Sequence, residues 1–408
     1  MIFFINLFFL SSMILESCNQ PVGSIKKNEA AYKTEVVSAP VPAAHKLETY
    51  LSKLKGKRVG MVVNQTSSLG NIHLVDTLLK HKINIVKIYS PEHGFRGEAD
   101  AGEKVNSAID EGTGIMMVSL YGEKRKPGPD DLKDIDIMVF DIQDIGVRFY
   151  TYNATMTLVM EACAENKIPL MILDRPNPNG YYVDGPVMKK EFQGFLGLHA
   201  VPIVYGMTLG EYAQMVNGEG WLKNGIKCDL TVIPCKNYDH TMTYDLPVKP
   251  SPNIVSHRAV LLYPSTCLFE GTHCSEGRGT EQPFVIFGHP KYTEGDFTFT
   301  PVPRPGAKSS KLYNQLCHGH NLSNLSITEI MSWKRINLSY LLRFYNNMKD
   351  KDPFFLANNF LNKLAGNTEL MAMIKAGKQE EEIRASWKPE LDVFKKIRKK
   401  YLLYTDFE

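Results

Sequence analysis

Apolar, β-branched runs recur through the first part of the chain, with helix-spaced segments between them. Lys57–Asn64, Ile83–Tyr89, Ile115–Leu120, Asp136–Asp141, Leu170–Asp174 and Asp229–Pro234 each read as a buried strand. Between the first two, Leu74, Val75, Leu78 and Leu79 lie on one face of a helix spanning His73 to His81. Leu47–Leu54 and Thr155–Asn166 also read as helices. Strands that are apolar throughout, and that alternate with helices, predict a mostly parallel sheet covered on both faces. The crossovers then wind right-handed. The expected fold class is α/β for residues 45–246. Three prolines between Pro247 and Pro252 mark a boundary. Residues 247–408 carry short strands and then, from Ser326, helices, which predicts a smaller α+β domain closing a cleft against the first.

The charge balance excludes some classes of partner. A net charge of +3 over 408 residues, with no basic face in the pattern, gives no surface for nucleic acid. The seven cysteines form no CxxC pair, so no metal site is expected; they read as core thiols, with a disulfide or two allowed in an oxidising compartment. No glycine-rich phosphate loop follows any strand, which argues against a nucleotide cofactor.

Ile2 to Leu15 is almost wholly apolar and too short to span a bilayer. It runs into Leu15-Glu16-Ser17-Cys18, which resembles a bacterial lipoprotein signal. The expectation is a signal peptide over residues 1–17, lipidation of Cys18 and a flexible tether over 18–44. The body would then sit in the periplasm or at the outer membrane, held only by acyl chains.

The loops that follow the strands carry the chemistry. After Ile83–Tyr89, Pro91 ends the ladder because it has no N–H to donate. Glu92, His93, Arg96 and Glu98 then crowd one loop, a set suited to general acid–base work, proton relay and anion binding. Asn64, Asp141, Asp144, Asp174 and Arg175 follow other strands. In Val147–Tyr152 a strand-like alternation would put Arg148, Tyr150 and Tyr152 on one face. Aromatic faces and carboxylates together suit a hydroxyl-rich ligand, though Asp141 and Asp174 are equally open to capping roles. Thr208 and Glu211 read as a capping box, which leaves Tyr205 as the ligand contact expected from this segment. Later, Asn253 is a further candidate ligand contact, and Glu270, Glu276 and Arg278 stand among glycines, of which Gly277 and Gly279 would let backbone approach a ligand.

Several ordered blocks carry a resemblance. They include Asn64-Gln65-Thr66, Pro91-Glu92-His93-Gly94-Phe95-Arg96-Gly97 and the run Asp141 to Tyr152. Asp174-Arg175-Pro176-Asn177-Pro178, Pro250-Ser251-Pro252-Asn253 and Ser275-Glu276-Gly277-Arg278-Gly279-Thr280 continue the series. From Leu47 to Tyr404 the chain resembles the NamZ-type exo-β-N-acetylmuramidases. The resemblance implies a Rossmann-like first domain and no cofactor. It also implies removal of β-1,4-linked N-acetylmuramic acid from the non-reducing end of disaccharides or muropeptides. Glu92 would be the leading catalytic group, with His93 beside it. The second carboxylate stays open among Asp141, Asp144, Glu270 and Glu276, as does attack by the substrate's own N-acetyl group. The lactyl carboxylate of the sugar calls for an arginine. Arg96, Arg148, Arg175 and Arg278 are the candidates, with Arg148 and Arg278 foremost. A noncatalytic glycan-binding lipoprotein is the alternative reading.

Overall fold

A computed structural model of the protein describes residues 38–92, 94–95 and 108–408. Cys18, the signal segment, His93, Arg96 and Glu98 lie outside the described residues.

Seven strands pair into one sheet. They are β1 (Arg58–Val63), β2 (Asn84–Ser90), β3 (Ala108–Ile109), β4 (Met116–Ser119), β5 (Ile137–Asp141), β6 (Leu170–Leu173) and β7 (Leu230–Ile233). Their order across the sheet is β3-β4-β2-β1-β5-β6-β7. Every pair is parallel except the short β3, which runs antiparallel to β4. The apolar runs behave as expected: side chains alternate between two cores. Val59, Met61, Val63, Ile137, Val139, Met171 and Leu173 face α1 (Leu47–Leu54) and α2 (Leu74–Lys80). Val62, Met138, Phe140, Leu170 and Ile172 face the other way, with Met156 and Val159 of α3 (Tyr152–Glu165) and Tyr212 and Met215 of α4 (Leu209–Gly218). Each fully buried aliphatic side chain adds roughly 1.5–3 kcal/mol to that assembly.

A smaller mixed α+β region follows. Helix α5 (His257–Thr266) contains Tyr263 and Pro264 and leads into a 3-10 turn at Cys267–Gly271. The strands β8 (Ile286–His289), β9 (Phe297–Phe299) and β10 (Cys317–Asn321) form an antiparallel sheet with β10 in the middle. Five helices complete the region: α6 (Ile327–Ser332), α7 (Ser339–Met348), α8 (Phe360–Ala365), α9 (Glu369–Lys375) and α10 (Glu380–Arg398). The sequence suggests a break in α10 around Pro389, yet the helix continues through it. Phe287, Phe344 and Trp387 join the same core as Met138 and Phe140, and residues 39–408 form one compact unit. The six cysteines of this unit are buried and unpaired, as core thiols.

Candidate active site

Parallel strands deliver their carboxyl ends to one edge of the sheet. The chain runs from β1 outward through β2 and β4, then returns to place β5 on the other side of β1. At such a reversal the following loops part and leave a crevice. Glu92 stands two residues beyond β2, and Tyr121 stands two residues beyond the neighbouring β4. The Leu120 amide donates to the Ser90 carbonyl at 2.8 Å, so the two loops leave the sheet together. The Tyr121 hydroxyl donates to Glu92 Oε1, also at 2.8 Å.

Both residues line a cleft of about 920 Å³, together with Arg125, Phe149, Thr151, Tyr263, Glu270 and Arg278. A narrower limb of about 60 Å³ shares Glu92, Tyr263 and Arg278 and ends among Tyr150, Tyr152, Asn253 and Phe284. The rings there meet edge-on. Tyr150 lies 5.0 Å from Tyr152 and 5.8 Å from Tyr263, and Tyr263 lies 4.8 Å from Phe284. Arg148–Tyr150 form a 3-10 turn rather than a strand. Thr151 then takes a left-handed conformation, φ 50°, that costs a β-branched residue strain. The kink brings Tyr150 and Tyr152 to one wall while Arg148 goes elsewhere.

Charges on the opposite wall are tied together. Arg278 donates to Glu270 Oε1 through Nη2 at 2.6 Å and Nε at 3.2 Å. Among the described residues no hydrogen bond engages Glu270 Oε2. Behind this pair Glu276 is sealed at 2 % exposure, with Arg278 Nε at 3.4 Å and Lys311 Nζ at 2.7 Å. Burial pushes the Glu276 carboxyl up, but Lys311 and Arg278 outweigh it and hold the group below its ordinary range. Burial likewise works against the Arg278 charge, yet Glu270 and Glu276 raise its pKa overall. Lys311 is anchored by the Phe269 and Thr272 carbonyls. Gly277, at φ 83°, lets the loop close on its own strand. A side chain there would meet the Ile286 carbonyl at 2.6 Å, so this glycine serves packing and not ligand approach.

Residues 59–258 match the family described as exo-beta-N-acetylmuramidase NamZ, N-terminal, and residues 261–404 match its C-terminal counterpart. The chain belongs to the NamZ family. It is 39% identical, over 93% of its length and 94% of the relative's, to the peptidoglycan beta-N-acetylmuramidase NamZ of Bacillus subtilis strain 168. Two crystal structures of DUF1343 family proteins from Bacteroides fragilis NCTC 9343 share the fold. One has a TM-score of 0.84 at 48% identity, covering 90% of this chain and 100% of its own. The other has a TM-score of 0.75 at 29% identity, covering 90% and 99%. Membership in the NamZ family carries a coarse assignment, a hydrolase of the glycosidase class.

Within this NamZ-family chain, several residues expected at the ligand are structural. Arg148 is fully buried; its guanidinium donates to the carbonyls of Pro186, Val201, Leu364 and Ala365 at 2.7–3.0 Å. It pins α8 to the sheet region and has no face toward the cleft. Asp141 and Arg175 form a sealed two-point ion pair at 2.6 and 2.8 Å. Asp174 accepts from Thr208 Oγ1, the Gly210 amide and Tyr404, which is the capping role its position also allowed. Asp144 accepts from the Gly146 amide at 2.7 Å and from the Tyr205 hydroxyl, and both side chains are buried away from the cleft. Asn64 is buried too, but its Nδ2 donates to the Tyr152 hydroxyl at 3.1 Å and so supports the narrow limb from behind. Asn253 lines that limb and donates to the Gly306 carbonyl. Glu276 backs the wall without lining it.

Tyr121, Arg125 and Lys311 were not legible as site residues. The signal for Tyr121 was positional: a hydroxyl in the same place after β4 that Glu92 holds after β2. Lys311 sits in a loop whose sequence has no pattern, so it carried no signal.

Proposed function

We propose that the protein is an exo-β-N-acetylmuramidase, releasing N-acetylmuramic acid from the non-reducing end of β-1,4-linked peptidoglycan fragments. One observation carries this reading beyond family kinship. Glu92, held by Tyr121, and Glu270, held by Arg278, line one cleft, and that cleft tapers to a limb walled by aromatic rings. Two carboxyl groups flanking one bond are what glycoside cleavage uses.

Glu92 in its acid form gives its proton to the glycosidic oxygen as the bond to the anomeric carbon breaks. The carboxylate of Glu270 stabilises the positive charge that develops on that carbon. A water then adds its hydroxyl to the carbon, and its remaining proton restores Glu92. The tyrosine rings close the narrow end of the cleft, and an end closed in this way supports removal of one terminal residue at a time.

Incubation with MurNAc-β-1,4-GlcNAc should yield both monosaccharides, while GlcNAc-β-1,4-MurNAc should survive. Release of internal fragments from long glycans would overturn the exo assignment. A protein that binds the disaccharide and leaves it whole would be a glycan-binding module instead.

A further inference from the structure

Arg148 and Arg175 are engaged inside the protein, so the anion-reading role must fall elsewhere. Among the described residues the cations lining the cleft are Arg125, Arg278 and Lys363. Arg278 already serves two carboxylates. Neither Arg125 nor Lys363 has an acidic partner among the described residues. They differ in how they are held. The Arg125 guanidinium lies over the Phe195 ring, 4.3 Å from its centre. Phe195 in turn packs against Tyr121, 6.5 Å between centres, and Tyr121 donates to Glu92. A short string of contacts thus joins Arg125 to the carboxylate proposed to act on the glycosidic bond. Lys363 is an exposed point charge on α8, with no ring beneath it among the described residues.

Stacking fixes the plane of a guanidinium and leaves its N–H edge free. That edge matches a planar carboxylate with two parallel hydrogen bonds. N-acetylmuramic acid differs from N-acetylglucosamine by a lactyl ether that ends in such a carboxylate. We infer that Arg125, laid on Phe195, reads the lactyl carboxylate of muramic acid and sets the sugar specificity of the cleft. The inference rests on the muramidase reading above. Phe195 is the positioning residue: its ring seats the guanidinium, and without it the arginine would keep its charge but lose its aim.

The test compares binding of N-acetylmuramic acid with binding of its lactyl methyl ester, by calorimetry, in the parent protein, Arg125→Ala, Arg125→Lys and Lys363→Ala. The parent should prefer the acid by roughly 10- to 100-fold, the range for a hydrogen-bonded charge. Arg125→Ala should erase that preference and leave ester affinity within about two-fold. Arg125→Lys should restore part of it, since charge returns without the fork. Arg125 is exposed, so melting temperatures should match. Equal losses for acid and ester in Arg125→Ala would overturn the inference. So would an undiminished preference, or a preference lost in Lys363→Ala instead. Turnover of the disaccharide is read separately: loss of discrimination in Arg125→Ala with no hydrolysis by the parent would sink the enzyme reading and keep this one.

Discussion

Beyond β2 and β4 the strand-end residues open into a cleft, whereas beyond β5 and β6 comparable residues are sealed. Glu92 and Tyr121 line space. Asp141, Asp144, Asp174 and Arg175 meet only protein. The sheet treats both sides alike, so the difference comes from what covers them. On the sealed side the chain supplies Tyr205, Thr208 and Tyr404 as partners. On the open side the facing wall is Glu270 and Arg278, which satisfy each other and leave room between. Position after a strand therefore marks a residue as polar and placed. Only the covering decides whether it works on a ligand or on the fold.

Exchanging one atom on each side should break the comparison if it is wrong. Glu92→Gln keeps the side chain's shape and removes its acid. Turnover of MurNAc-β-1,4-GlcNAc should fall by about 100-fold or more, the usual contribution of a general acid, with melting unchanged. A folded variant with near-normal kcat would remove Glu92 from the chemistry and point to Glu270.

Asp141→Asn should do the reverse. It leaves the Arg175 guanidinium buried without its counter-charge, which costs about 3–5 kcal/mol in a sealed pair. Urea denaturation reads that loss, while kcat of the protein that remains folded should stay within about three-fold of the parent. A large kcat defect at full stability would return Asp141 to the site.

Asp144 sharpens the sealed side by pH. Burial raises its carboxyl from 3.8 to about 6, and bonds from Tyr205 and Gly146 offset this only in part. Such a group is more readily protonated folded than unfolded. Its favourable contribution is complete below about 3.8 and is lost as pH rises through about 6. Asp144→Asn carries no such charge. Relative to the parent, the variant should gain up to about 3 kcal/mol between pH 4 and pH 7.5. Parallel stability curves for the two proteins would show that Asp144 does not titrate in this range.

The strands were legible because each is apolar throughout, and helix spacing between them left one class of fold. Glu92 was legible from Pro91 and the strand before it. Its partner Tyr121 was not, because that bond crosses between adjacent loops. Arg148 misled for a physical reason. Read as alternation, it shares a face with Tyr150; the 3-10 turn over Arg148–Tyr150 removes that alternation, and the carbonyls that claim the guanidinium include Leu364 and Ala365, over two hundred positions away. No local pattern reports such a partner. Pro389 misled in the other sense, since it sits inside a helix that continues through it, where packing outweighs the lost amide.

Asp174 is also a meeting place for distant parts of the chain. Its carbonyl accepts from the Ala43 amide, and its carboxylate takes the Tyr404 hydroxyl from 230 positions on. Close by, Arg398 grips Asp406, and the Leu403 amide reaches Glu211. During synthesis the sheet residues emerge long before these. The early strands can pair while Asp174 still faces water, but its joint closes only once residue 404 has been delivered. The joint at Asp174 is therefore a contact of long sequence separation, the kind whose loop-closure entropy must be met before it contributes to stability.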